Sequence, residues 1–298
     1  MRPQVAAAPE TYAARIGDLD DRTFLVTGAN SGIGRVTSLE LARRGARVYM
    51  AGRSEPKTRA AMDEVAAQTG NQALEFLSLD LGDLASVRSC ADEFLRSGEP
   101  LHALINNAGL AGGRGLTESG FELAFGTNYV GPFLLTNLLL DRLRESRPAR
   151  IVNVASIGHY RAPGIDFEAV RQRTRTRTGF PEYCVSKLAN VLHAQELARR
   201  LPADGVTTYS LHPGAVATNV WRRVPWPIRP LMTRKMISPE DGAKTTLFCA
   251  TSAELAAESG NYYDDCRRAE PSETATPELA AELWERSIDW VDSYSRAS

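Results

Sequence analysis

The eight residues Thr27-Gly-Ala-Asn-Ser-Gly-Ile-Gly34 constrain the fold more than any other stretch of this chain. They follow an apolar, β-rich run, Thr23-Phe-Leu-Val-Thr27, and precede a helical pattern over residues 35–44, so the glycines fall on a strand-to-helix turn. Glycine-rich loops bind phosphate at such turns. Gly28 allows the tight turn, Gly32 lets the backbone approach a pyrophosphate, and Gly34 lets the helix lie close to the strand with its N-terminus facing the anion. The spacing is G-x-x-x-G-x-G, not the commoner G-x-G-x-x-G, and taken alone it fits a plain turn equally well.

The rest of the chain supplies the context that a plain turn would lack. Buried-type strands are expected at residues 47–51, 73–79, 101–105, 150–155, 206–212 and 260–263. Helical patterns separate them at 57–69, 84–97, 121–144, 181–201 and 239–251, and a last amphipathic helix runs from 277 to about 294. Gly131-Pro132 marks a bend or break in the fourth helix. This alternation predicts an α/β fold with a parallel sheet covered on both faces and ligands at the carboxyl ends of the strands. No linker divides residues 22–298, and 1–21 are read as an N-terminal extension.

Several strand ends carry chemistry-bearing residues. The second strand ends in Gly52-Arg53, where an acid would bind a free ribose 2′-hydroxyl and an arginine a 2′-phosphate; Arg53 therefore points to NADP(H), the alternative being a surface arginine. Asp80, ending the third strand, is placed for an adenine amino group, for a helix N-cap, or for both. Asn106 and Asn107 end the fourth strand, where they tie loops or hold a turn. Asn128 stands in an apolar setting in which its amide needs a partner. Ser156 ends the fifth strand. Tyr183 and Lys187 are four apart and share a helix face, so the ammonium lies near the phenol.

Reducing a carbonyl by hydride leaves negative charge on oxygen, so a proton donor is needed. Tyr183 serves as acid and base if its pKa falls from about 10 towards neutrality, which the charge of Lys187 and of an oxidised nicotinamide would favour. Ser156 is placed to hydrogen-bond the same oxygen, and Asn128 to hold a water linking Lys187 to solvent. Between Ser156 and Tyr183 the tract Arg171–Thr178 reads as a surface excursion. Residues 220–237, rich in tryptophan and proline, read as a lid or as a membrane- or partner-contacting patch within the substrate-loop segment 214–238.

At this point the chain resembles the short-chain dehydrogenase/reductase family, through TGANSGIG from Thr27, DL from Asp80, NNAG from Asn106, Asn128, Ser156, Tyr183-x-x-x-Lys187, and Pro213-Gly214 with Thr218. The likeness covers roughly residues 22–263. It implies a single Rossmann-like doubly wound domain with a seven-stranded parallel sheet, and a tetrad of Asn128, Ser156, Tyr183 and Lys187. The cofactor site it implies comprises Gly28, Asn30, Ser31, Gly32, Ile33, Gly34, Arg53, Asp80, Leu81, Asn107, Ala108, Gly109, Tyr183, Lys187, Pro213, Gly214 and Thr218, the last meeting the nicotinamide carboxamide. ELARRGARVYMAGR from Glu40, YCVSKLANVL from Tyr183, TTYSLHPGAVAT from Thr207 and GNYYDDC from Gly260 are similar to the retinol dehydrogenase-like branch, which implies NADP(H) and a hydrophobic aldehyde, ketone or alcohol. The gap from Ser156 to Tyr183 is longer than is usual for the broad family, and the membrane anchor of the animal relatives is not seen. Family members are often dimers or tetramers, so a homo-oligomer is an open expectation.

Composition narrows the remaining classes. The 35 basic and 36 acidic residues leave a formal charge of -1, which argues against nucleic-acid binding. Four scattered cysteines and four histidines show no ligand spacing, so neither a disulfide framework nor a metal site is expected. No signal core or run of about 18 apolar residues is read, which leads to a cytoplasmic expectation without a transmembrane segment. The fold alone would also suit an NADP(H)-binding regulatory or scaffold protein; the complete tetrad counts against it.

Overall fold

The computed structural model describes residues 17–201, 205–215 and 237–297. Seven strands form a parallel sheet: β1 (Thr23–Thr27), β2 (Arg47–Gly52), β3 (Leu74–Ser78), β4 (Ala103–Asn106), β5 (Ala149–Val154), β6 (Val206–His212) and β7 (Asn261–Asp264). An eighth, β8 (Arg267–Ala269), pairs antiparallel with β7, so the order is β3-β2-β1-β4-β5-β6-β7-β8. The seven-stranded expectation thus gains one short edge strand. Its two-residue turn, Asp265-Cys266, holds both residues at positive φ (46° and 57°), the conformation that hairpins usually give to Asn-Gly or Asp-Gly. Without a glycine there, the hairpin left no sequence signal.

The helices are α1 (Gly32–Arg43), α2 (Glu55–Thr69), α3 (Leu84–Arg96), α4 (Leu123–Phe125), α5 (Gly131–Glu145), α6 (Phe180–Arg200), α7 (Pro239–Thr251) and α8 (Pro277–Ala297). Both sheet faces are buried, which is why the strands read as apolar runs rather than as alternating patterns. In β1, Leu25 joins a core that includes Phe94, Phe133 and Leu192, whereas Phe24 and Val26 join another with Leu41, Val65 and Leu247. The last helix closes the first core: Trp284 meets Phe133 edge-on at 5.0 Å, and Arg200 lies over the Trp284 ring and pairs with Glu285 at 2.6 Å.

The helical run from 123 to 145 does not break at Gly131-Pro132. It passes through a π-helical turn, Gly126–Val130, before Pro132 takes an early position in α5, where its missing N–H costs least. This run is long and apolar enough to cross a membrane by length and composition. However, 72 % of its apolar window is buried inside the protein, as in a core helix.

Gly131 lets that run cross the β3–α3 loop, because a Cβ there would lie 2.3 Å from the Leu81 carbonyl oxygen. Gly131→Ala is expected to destabilise the protein by about 1–3 kcal/mol through overpacking. A thermal melt checks this, and an unchanged midpoint would contradict so close a crossing.

Candidate active site

The order of strands reverses between β1 and β4, and the carboxyl ends of β1 to β6 open there into one cleft of about 2260 Å³. A pocket for a single ligand measures ~300–1,000 Å³, so this cleft can take a dinucleotide and a second molecule. Every sequence-nominated site residue among the described residues lines it except Asn128, which lies behind the wall; Thr218 lies outside the described residues.

One end is the glycine loop. Gly28 and Gly32 adopt positive φ (67° and 54°), and a Cβ on Gly34 would strike the Gly28 carbonyl oxygen at 2.4 Å and Asn107 Nδ2 at 2.5 Å. Ser31, the N-cap of α1, makes no side-chain cap, and the first turn of α1 carries no acid. The leading N–H groups and the positive helix end therefore face the cleft ready for an anion. Asn107 ties this loop to β4: its Nδ2 donates to the Thr27 carbonyl at 2.8 Å, while Thr27 Oγ1 accepts from the Asn107 and Ala108 N–H groups at 3.0 Å. Asn106 instead turns inward, donating to Thr136 Oγ1 and Asn153 Oδ1.

Around the tip of β2, Arg53 is exposed on the cleft, joined by Lys57 of α2 and by Arg35, which pairs with Glu64 at 2.8 Å. Sequence reasoning missed Lys57 and Arg35; the signal was a second cation within one turn of Arg53 and one directly after the glycine loop. Asp80 closes its own turn by accepting from the Gly82 N–H at 2.9 Å and also lines the cleft.

At the other end stand Ser156, Tyr183 and Lys187, all buried. Ser156 stands two residues past β5 in extended conformation, and its Oγ accepts from the Gly158 N–H at 3.1 Å, leaving its own proton to hydrogen-bond Tyr183. Lys187 Nζ donates to the Val154 carbonyl at 2.7 Å and lies 5.8 Å from the Tyr183 ring centroid. Burial pushes the Tyr183 phenol up to about 12, opposed by the Ser156 hydrogen bond, and pulls Lys187 down to about 7. Thus burial drives both groups towards their neutral forms, and the lowered phenol expected from sequence rests on the added charge of an oxidised nicotinamide.

Asn128 also differs from expectation. Its side-chain amide is consumed: Oδ1 accepts from the Leu110 N–H at 2.9 Å, and Nδ2 donates to the Leu110 carbonyl at 3.0 Å and to Ser186 Oγ at 2.9 Å. It pins the loop after β4 to α6. Another residue not nominated for the site, His159, is fully buried: Nδ1 donates to the Ser156 carbonyl at 2.7 Å, and Nε2 accepts from the Ser272 N–H at 3.1 Å. Both ring nitrogens are thus occupied and burial lowers its pKa, so a neutral imidazole fixes the backbone of Ser156.

Comparison with known proteins accords with this geometry. Residues 22–167 match the family described as short chain dehydrogenase. Retinol dehydrogenase 11 of Homo sapiens is 44 % identical over 278 residues, covering 91 % of this chain and 86 % of that protein. The chain belongs to the short-chain dehydrogenase family. Another member, the human dehydrogenase/reductase SDR family member 13, is 44 % identical over 91 % of this chain and 74 % of its own length. A crystal structure of a protein from Mycobacterium Paratuberculosis superposes with a TM-score of 0.75 at 35 % identity, covering 94 % of this chain and 97 % of that one. The chain is accordingly an oxidoreductase of the retinol dehydrogenase-like kind.

Proposed function

We propose that this protein is an NADP(H)-dependent oxidoreductase interconverting an aldehyde or ketone and an alcohol on a hydrophobic small molecule. The observation that carries the reading is the meeting of Ser156, Tyr183 and Lys187 in the same cleft as the glycine loop. The residues fit a dinucleotide: uncapped N–H groups at α1 and glycines that a Cβ would obstruct suit the pyrophosphate, and Asp80 suits the adenine. Bound NADPH supplies the hydride. Tyr183 gives its proton to the carbonyl oxygen and takes it back in the reverse direction, while Ser156 turns its proton from Tyr183 to that oxygen and holds it in line. Lys187 orients the cofactor and biases the phenol. Asn128 acts by holding the Leu110 loop, and its backbone carbonyl is the better candidate for a relay water, since Pro132 has no N–H to close the α-helical bond to it.

The exposed apolar side chains Ile157 and Tyr160 stand on the cleft at 55 % and 46 % exposure, which suits a hydrophobic substrate. NADPH oxidation across aldehydes and ketones graded in size and polarity tests the reading; no turnover of any would sink it. Arg53→Asp is expected to weaken NADPH binding by about tenfold or more while sparing NADH, since it replaces a cation at a phosphate by an anion. An unchanged ratio of the two affinities would remove Arg53 from that role.

A further inference from the structure

The cleft is lopsided in charge. Its acidic lining residues, Glu64 and Asp80, both lie at the nucleotide end, on α2 and after β3. The outer part of the opposite end, beyond Ser156 and Tyr183, is lined by Arg114, Arg161 and Arg177, with no carboxylate among the described lining residues. Among the described residues none of the three forms an ion pair.

The fold brings these arginines to one place. Gly179 takes φ 66° and packs so tightly on the 112–114 loop that a Cβ would lie 2.3 Å from the Gly113 carbonyl oxygen, which sets Arg114 beside the segment carrying Arg177. Arg161 lies over the ring of Phe180, the next residue, at 5.8 Å. The arginine-threonine tract is anchored by its threonines. Buried Thr174 bonds Glu122 and accepts from the Gly115 N–H at 3.0 Å, and Thr176 is held by Glu182 and accepts from the Gly179 N–H at 3.1 Å. Its arginines are not alike. Arg171 lies 4.1 Å over the Phe121 ring and Arg175 bonds Gln172, whereas Arg177 lines the cleft.

We propose that the substrate is an amphipathic anion, its carbonyl at Tyr183 and its far end a carboxylate held by Arg114, Arg161 and Arg177. This deepens the carbonyl-reductase reading and rests on it. The apolar walls from Leu110 and Ile157 to Phe180 take the chain between the two ends. Three guanidinium groups lining one end of the cleft, none of them in an ion pair among the described residues, offer a carboxylate bidentate hydrogen bonds that a neutral tail cannot make.

The test pairs straight-chain aldehydes with ω-oxo carboxylates of equal length as substrates of the NADPH reaction. At the best length the acid is expected to have a kcat/KM about tenfold or more above its neutral partner, as hydrogen bonds to charged groups imply. That ratio should fall towards one in high salt and in the R114Q/R177Q variant. A neutral aldehyde equal or superior at every length overturns the proposal but leaves the reductase reading standing, whereas reduction of neither member would strike the reductase reading itself. A second arm needs no chemistry: calorimetric titration with a medium-chain dicarboxylate and the diol of the same length. Tighter binding of the dicarboxylate, lost in R114Q/R177Q, supports the anion site; equal binding of the two overturns it.

Discussion

Tyr183→Phe is expected to lower turnover by about 10²–10⁴-fold, the range that a positioned general acid contributes. The substitution removes one oxygen and keeps the ring, which stacks on Phe180 at a centroid distance of 5.9 Å, so the wall of the cleft survives. NADPH affinity should therefore change little, and calorimetry beside steady-state kinetics separates the two effects. In the parent protein, a phenol raised to about 12 is fully protonated at neutral pH, the form that carbonyl reduction consumes. Alcohol oxidation needs the phenolate and should rise with pH into the alkaline range. A Phe variant that keeps turnover within a few-fold would take the proton transfer away from Tyr183.

Lys187→Met carries the second large effect. Where Lys187 is protonated, its ammonium near the phenol favours the phenolate, so removing it reduces the phenolate population there. Losing a nearby opposite charge costs about 1–3 pH units of phenolate stabilisation, about tenfold in phenolate population per unit, in the range where Lys187 is charged. Alcohol oxidation should fall by about tenfold or more below neutrality, where the ammonium is charged. Because burial pulls Lys187 down to about 7, its charge is strongest below neutrality, and the parent and variant should differ most there. The two groups titrate as a pair, so the comparison concerns whole profiles rather than one residue's constant. A profile that coincides with the parent's would contradict the influence assigned to the ammonium. Met fills similar volume, and a melting curve checks that the loss of the bond to the Val154 carbonyl has not unfolded α6.

The parallel sheet was legible because its strands are buried on both faces and so are written as continuous apolar runs, as in Thr23–Thr27 and Val206–His212. The glycine loop and Arg53 were legible because their places, at the turn from β1 to α1 and just past β2, follow from chain geometry alone. What escaped notice depends on long-range packing. The π-turn that spends the Asn128 amide on Leu110 leaves no periodic trace, and the Asp265-Cys266 hairpin lacks the usual turn residues. The arginine-threonine tract reads as solvated until Thr174 is seen against buried Glu122. His159 shows nothing in sequence because its partners, the Ser156 carbonyl and the Ser272 N–H, are backbone groups. Desolvation of the Tyr183–Lys187 pair is likewise a property of the packed site, which spacing does not show.

The most direct test of the central claim is a single-turnover experiment with NADPH deuterated at the transferable position and an aldehyde, either neutral or ω-carboxylated. Mass spectrometry of the product alcohol then locates the label. One deuterium is expected on the carbinol carbon, introduced by the parent protein and suppressed in Tyr183→Phe. Tight NADPH binding with no label transferred to any carbonyl would contradict it.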